Sequence, residues 1–225
     1  MKNLNIKAFA GLLNLIVILG AALFLPAWTL NYWQAWIFLA VFALSVLVIT
    51  VYLMKNDPQL LERRVKVGPV AEQESSQKII QGLASIAFIA VIVFPALDHR
   101  FHWSTVPVYV VAFGDILVAL GLYFVFLVFK ENSFTSAVIE VGSEQKIITT
   151  GPYALVRHPM YIGALVMLTG VPLALGSWWG LLAVIPITLT IVWRLLDEEK
   201  FLAKNLPGYP EYQKKVKYHL VPFIW

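Results

Sequence analysis

The 225-residue chain contains no cysteine, which excludes disulfides, thiolate metal sites and a cysteine nucleophile together. Charge is scarce as well. Only 13 % of residues are Asp, Glu, Lys or Arg, against roughly a quarter in soluble globular proteins, so a water-exposed surface of ordinary size cannot be covered. No G-x-G-x-x-G occurs among the 13 glycines, which removes the usual signature of a dinucleotide fold. Repeats, low-complexity tracts and a soluble domain are absent too. Metal-ligand sets are thin: His99 and His102 stand one turn apart beside Asp98, short of the three or four ligands that a zinc site needs, so no metal is expected.

What is abundant is apolar sequence. Hydrophobic residues make up 60 % and the mean hydropathy is +0.76, the composition of a multi-span membrane protein. A span needs roughly 20 apolar residues, and such runs occur near Phe9–Leu25, Trp33–Met54, Ile79–Leu97, Val106–Phe129, Met160–Leu175 and Gly180–Leu196. The expectation is an all-α, multi-pass transmembrane bundle of about six spans, the fifth short. The first run follows Lys2 and Lys7 like a signal peptide, yet it is long enough to span and is read as an uncleaved helix.

Lys and Arg near span ends favour the cytoplasmic side. With a cytosolic N-terminus, every one of the 17 basic residues except Arg100 falls inside, and both termini are cytosolic. The net charge of +4 therefore reports orientation and implies no nucleic-acid partner. Trp28, Trp33, Trp36, Trp103, Trp178 and Trp179 gather at the opposite ends as an interfacial belt. Whether the membrane is a bacterial plasma membrane or the endoplasmic reticulum is not legible.

Organisation is that of one integral membrane domain over 1–225, with N-terminal spans over 1–130 and a cofactor-binding half over 131–225. Asp57-Pro-Gln-Leu-Leu-Glu-Arg-Arg64 reads as a short amphipathic helix on the cytosolic face, interrupted by Gly68 and Pro69. Lys130–Thr150, with Glu140, Gly142, Ser143 and Glu144, is expected as a structured loop or partial strand.

Two polar clusters carry the chemistry. Tyr153, Arg157, His158 and Tyr161 precede or open the fifth apolar run, with Pro159 where a first helical turn tolerates it. Arg194, Asp197, Glu198 and Glu199 end the sixth, and a Gly176-Ser177 turn would return both clusters to one side. A helix start at Pro159 favours an anion, Arg194 and Glu198 share a helix face, and Glu199 is turned about 100° away. The carboxylates suit an ammonium, a sulfonium or ribose hydroxyls, and Arg194 suits a substrate carboxylate. The same arginines also fit plain positive-inside residues, and the glutamates fit surface charges. Asp115, alone in mid-span beside Gly114, reads equally as functional or as a packed, hydrogen-bonded acid.

Gly151-Pro-Tyr153, Arg157-His-Pro-Met-Tyr161-Ile-Gly163, Arg194-Leu-Leu-Asp-Glu-Glu199, Tyr209-Pro-Glu-Tyr212 and Val221-Pro-Phe223 resemble the C-terminal half of isoprenylcysteine carboxyl methyltransferase and its prokaryotic relatives. The resemblance covers Ile147–Phe223 and the Asp57–Arg64 stretch. It implies an integral membrane enzyme that uses S-adenosylmethionine without a Rossmann domain. By the same resemblance Gln145, Lys146, Ile147, Ile148, Tyr153, His158, Pro159, Met160 and Tyr161 contact the cofactor, together with Glu198 or Glu199. Arg194 serves the substrate. Spacing from Arg194 favours Glu198, and alignment through Gly208–Tyr212 favours Glu199.

The expected function is methyl transfer from S-adenosylmethionine to a lipophilic acceptor drawn from membrane lipid: the carboxylate of a prenylcysteine-like substrate, or a related thiol, amine or lipid acid. One rival is an NADPH-dependent membrane reductase of the sterol reductase type, which shares an Arg-His-Pro-x-Tyr element; the acidic Asp197–Glu199 run weighs against it. A transporter or channel subunit would thread ionisable residues through several spans, and these spans hold little beyond Asp115.

Overall fold

The computed structural model describes residues 2–65, 72, 74–139, 141 and 145–225. The expected break at Gly68 and Pro69 lies outside them, as do Glu140, Gly142, Ser143 and Glu144. The regular structure among the described residues is all helical: α1 (Lys2–Ala27), α2 (Trp33–Asn56), α3 (Pro58–Val65), α4 (Ser75–Phe101), α5 (Val108–Glu131), α6 (Pro159–Ala174), α7 (Val184–Asn205) and α8 (Tyr209–Lys215). Single 3-10 turns at Gly151–Ala154 and Trp179–Ala183 lead into α6 and α7.

α1, α2, α4, α5 and the continuous Trp179–Asn205 helix are long and apolar enough to cross a membrane. α6 has 16 residues, about 24 Å at 1.5 Å per residue, short of a hydrocarbon core of roughly 30 Å. The six apolar runs thus coincide with six helices, the fifth short. Leu13, Val17, Leu44, Val48, Ile86 and Ile116 point outward and exposed, the arrangement for a bundle solvated by lipid. The described part of the 130–150 segment is loop, without strand.

Helix ends follow local chemistry. Asp57 Oδ1 accepts the Leu60 N–H at 2.9 Å and Pro58 takes the first helical position, so α3 begins directly after α2. Leu60 and Leu61 are buried against α1 and α2, with Arg63 and Arg64 in the last turn.

α5 and α6 form the tightest pair. A Cβ on Gly121 would lie 2.5 Å from the Gly163 carbonyl oxygen, and one on Gly170 would lie 2.7 Å from that of Gly114. Glycines seven apart on each helix therefore let the two backbones touch, which is how membrane helices gain dispersion contacts. The α6–α7 connection turns at Gly176 (φ 73°), where a left-handed residue ends the helix. At that end buried Asp98 accepts the Ser104 N–H at 2.7 Å, the Ser104 hydroxyl at 2.5 Å and the Ser177 hydroxyl at 2.5 Å, tying α4 to the turn. Exposed Trp28, Trp33, Trp36, Trp103, Trp178 and Trp179 surround it. The catalytic candidates lie at the other, basic end.

Candidate active site

The segment before α6 is pinned by the segment after α8. Tyr218 and His219 carbonyls accept the N–H groups of Arg157 and His158 at 2.9 and 3.0 Å. Arg157 consequently points inward. Its Nε donates to Glu199 Oε1 at 2.6 Å, Nη2 to Glu199 Oε2 at 3.2 Å, and Nη1 to the carbonyls of Val216 and Lys217 at 2.9 and 3.1 Å. His158 Nε2 is 3.0 Å from Glu199 Oε1, and Gln213 Nε2 donates to Oε2 at 3.2 Å. Glu199, 8 % exposed, is therefore a buried hub. Arg157 Nη2 also meets His219 Nε2 at 2.6 Å. A guanidinium can only donate, so towards Arg157 that ring nitrogen acts as the acceptor, while it also stands 3.3 Å from Glu199 Oε2. Burial, the largest influence, holds the His219 pKa below its ordinary value and favours the neutral, accepting ring.

Glu198, one residue earlier, faces a different space. Its Oε2 accepts the Tyr161 hydroxyl at 2.7 Å, and the Tyr161 ring stacks on His158 with centroids 5.7 Å apart. Both groups line a cleft of about 120 Å³ that is open at its mouth. Tyr153, Pro159, Met160, Arg194 and Gln145 share its wall, as do Asn132, Phe134, Val138, Ile139 and Tyr209. Burial pushes the Tyr153 phenol up to about 12, so it stays a neutral hydroxyl.

Arg194 lies in that wall with its guanidinium engaged by the protein. Nη1 donates to Gln77 Oε1 at 3.1 Å and Gln81 Oε1 at 2.9 Å; Nη2 donates to Glu72 Oε1 at 2.7 Å and the Ala137 carbonyl at 3.1 Å. Glu72 Oε2 in turn accepts the Ile139 N–H at 3.0 Å. Asp197 accepts from the Ser76 hydroxyl at 2.8 Å and from Gln77, which ties α7 to the start of α4.

The residues singled out from sequence thus divide. Gln145, Tyr153, His158, Pro159, Met160, Tyr161, Arg194 and Glu198 meet at one cleft. Lys146 and Ile147 line an adjoining recess with Leu206 and Pro207, Ile148 is in neither wall, and Glu199 sits behind the cleft. Sequence reasoning missed Gln77 and Gln81, whose i, i+4 spacing on an apolar helix was a usable signal. Asp115 stays outside the cleft, buried, with Oδ1 lacking a hydrogen-bond partner among the described residues. His99 stacks on Tyr32 at 3.9 Å, and no metal-binding group of three His, Asp or Glu occurs among the described residues.

Comparison with known proteins matches this region. A probable protein-S-isoprenylcysteine O-methyltransferase of Oryza sativa subsp. indica is 31 % identical over 140 residues, which is 59 % of this chain and 68 % of the relative. The chain belongs to the isoprenylcysteine carboxyl methyltransferase family. The phospholipid methyltransferase family model matches residues 109–207, from α5 to just past α7, so the cleft-forming helices are the shared part. This membrane methyltransferase is also 26 % identical over 104 residues to the cobalt-zinc-cadmium resistance protein CzcN of Cupriavidus metallidurans, covering 45 % of this chain and 48 % of that one. A Delta(14)-sterol reductase of Mus musculus is 29 % identical over 90 residues, 39 % of this chain and 22 % of the reductase.

Proposed function

We propose that this membrane methyltransferase takes its methyl group from S-adenosylmethionine and delivers it to the carboxylate of a lipophilic, prenylcysteine-like acceptor. The observation that carries the reading is the meeting of the α6 start with Glu198 across one cleft. The residues fit the donor by their chemistry. Glu198 is an anion for a sulfonium, an ammonium or ribose hydroxyls, the first turn of α6 favours a carboxylate, and Tyr153 and Tyr209 offer aromatic walls. S-adenosylmethionine supplies an activated methyl on a good leaving group.

The chain then contributes alignment and exclusion of water. Tyr161 holds the Glu198 carboxylate in one orientation, and His158, fixed by Glu199, braces the Tyr161 ring. With a carboxylate acceptor no proton would have to move, so the chain would need to supply no general base.

The basic end, with Arg63, Arg64, Arg157 and Arg194, is read as cytosolic, which puts the cleft within reach of a water-soluble donor. Titration of the purified full chain with S-adenosylhomocysteine and, separately, NADPH tests the donor. Binding of the first and not the second is expected. NADPH binding alone would move the protein to the reductase class that its mouse relative represents.

A further inference from the structure

The segment after α8 closes into a loop whose apolar side chains point out. Phe223 is 87 % exposed and Ile224 80 %, and Val221 and Trp225 beside them are exposed too. The loop is closed by its own main chain: the Trp225 oxygen accepts the Leu220 and Val221 N–H groups at 3.1 and 2.9 Å, and the Trp225 N–H returns to the Val221 carbonyl at 3.1 Å. Phe223 sits at φ 66°, a left-handed backbone that bulky residues rarely adopt. Its ring lies 5.5 Å from that of Tyr218, and the Trp225 ring stacks on His219 at 4.6 Å. An apolar patch displayed in this way marks a contact surface.

The level of the loop along the bilayer normal follows from α6. Tyr218 and His219 pair with the main chain of Arg157 and His158 directly ahead of Pro159. That proline opens a helix of 16 residues, about 24 Å long at 1.5 Å per residue, whose far end leads to exposed Trp178 and Trp179. Against a hydrocarbon core of roughly 30 Å, the 218–225 segment lies where acyl chains give way to headgroups. Charge supports the same level. Lys214, Lys215 and Lys217 are exposed, and between 211 and 225 only Glu211 opposes them. Exposed lysines next to exposed aromatic and aliphatic side chains suit an anionic lipid surface. They count against a second copy of the chain as the occupant, since two such loops would bring like charges together.

We propose that this loop docks into the headgroup layer at the basic end of the bundle, with Phe223 and Ile224 at the acyl boundary and Lys214, Lys215 and Lys217 on anionic lipid headgroups. The docked loop acts on the cleft through His219. Trp225 stacks on that ring, Arg157 Nη2 meets it at 2.6 Å, and the His219 carbonyl holds the His158 N–H at the start of α6. His158 and Tyr161 line the cleft, so they are braced by a loop that lipid seats. Resting on the methyl-donor reading, the consequence is that anionic lipid raises the affinity for the donor. Trp225 and His219 are positioning residues in this arrangement.

The test uses the full chain in phosphatidylcholine nanodiscs, with and without phosphatidylglycerol. Ile224→Cys, in a chain with no other cysteine, carries an environment-sensitive nitrobenzoxadiazole probe. A nitroxide on the lipids just below the headgroup should quench it strongly, and an aqueous nitroxide weakly. S-adenosylhomocysteine has no net charge, so surface potential alone does not concentrate it, and its affinity should rise several-fold with phosphatidylglycerol. Lys214→Gln, Lys215→Gln and Lys217→Gln together should remove that rise. Phe223→Asn with Ile224→Ser, which puts a residue tolerant of the left-handed backbone at 223, should weaken S-adenosylhomocysteine several-fold in both lipids. A probe quenched from water and not from lipid would overturn the docking. Equal S-adenosylhomocysteine affinity in the two lipids, or a rise that survives in the triple variant, would overturn the role of anionic lipid. Efficient disulfide formation between unlabelled Ile224→Cys chains in membranes would give the loop to a second copy and overturn the proposal too. No S-adenosylhomocysteine binding in either lipid, with the probe still quenched from lipid, would sink the donor reading and leave the docking standing.

Discussion

Arg157 and Glu199 form a two-point ion pair, Nε to Oε1 at 2.6 Å and Nη2 to Oε2 at 3.2 Å, with both side chains almost wholly buried. Because Arg157 also bonds the carbonyls of Val216 and Lys217, the pair locks the end of α7, the start of α6 and the segment after α8 into one unit. Glu199→Gln should therefore act on stability before it acts on chemistry. Removing one partner of a buried pair costs about 3–5 kcal/mol, so the variant should lose its folded size-exclusion peak at a clearly lower temperature than wild type. A Glu199→Gln protein as heat-resistant as wild type but unable to bind donor would reverse the roles given to the two glutamates.

Glu198 should behave in the opposite way. It is half-buried at the cleft and bonded to Tyr161, so Glu198→Gln should unfold near the wild-type temperature while weakening S-adenosylhomocysteine. Hydrogen bonds to charged groups contribute about 1.5–3 kcal/mol, which sets the expected loss at roughly tenfold or more. Tyr161→Phe should weaken it less, since it frees the carboxylate without removing it. Undiminished affinity in Glu198→Gln would take this glutamate out of the donor site.

The helices, their order and the convergence of the two polar clusters were legible because a bilayer demands long apolar runs and pushes polar groups to their ends. The short α3 was legible from Asp57 and Pro58, a local cap signal. The choice between Glu198 and Glu199 was not. They differ by about 100° of helix rotation, and that rotation is fixed by Arg157, whose own direction depends on backbone pairing with Tyr218 and His219 far along the chain. The partners of Arg194 were hidden for the same reason, since Gln77 and Glu72 lie 117 and 122 residues away. The glycines seven apart in α5 and α6 stood in plain view, but only their facing across one interface gives them meaning.

His219 gives the hub a pH dependence. Its pKa is lowered chiefly by burial, with Arg157 and His158 adding repulsion and Glu199 opposing them. The unfolded chain, with a His near 6.5, then binds the proton more readily than the folded one, so stability falls as pH drops through that value and is regained above it. Heat resistance should be lower at pH 5.5 than at pH 7.5, and His219→Gln, which keeps an acceptor for Arg157, should flatten the difference. An equal slope in wild type and variant would move the effect to another group.

Orientation is testable without background because the chain has no cysteine. Cysteines introduced at exposed Ser75 and Lys204, both at the basic end, should resist a membrane-impermeant maleimide in intact cells and react after permeabilisation. A cysteine at exposed Trp103 should react from outside. Labelling of Ser75→Cys in intact cells would turn the topology over, and with it the access of a cytosolic donor to the cleft.

Arg194 is the sharpest case, because its residue type suggests a substrate contact and its surroundings suggest a brace. Its Nη1 and Nη2 serve Gln77, Gln81, Glu72 and Ala137, and through Glu72 they also hold the Ile139 N–H. The planar fork satisfies these spread-out acceptors at once, which a single ammonium cannot. Arg194→Lys and Glu72→Gln should each lower the temperature of unfolding. The double variant should lose less than the sum, with a coupling within the roughly 0.5–3 kcal/mol found for interacting neighbours. Turnover should fall in both single variants mainly through kcat, since the loop they hold forms the cleft wall at Val138 and Ile139. Arg194→Lys with normal stability, normal kcat and a raised acceptor KM would show that this arginine contacts the acceptor directly.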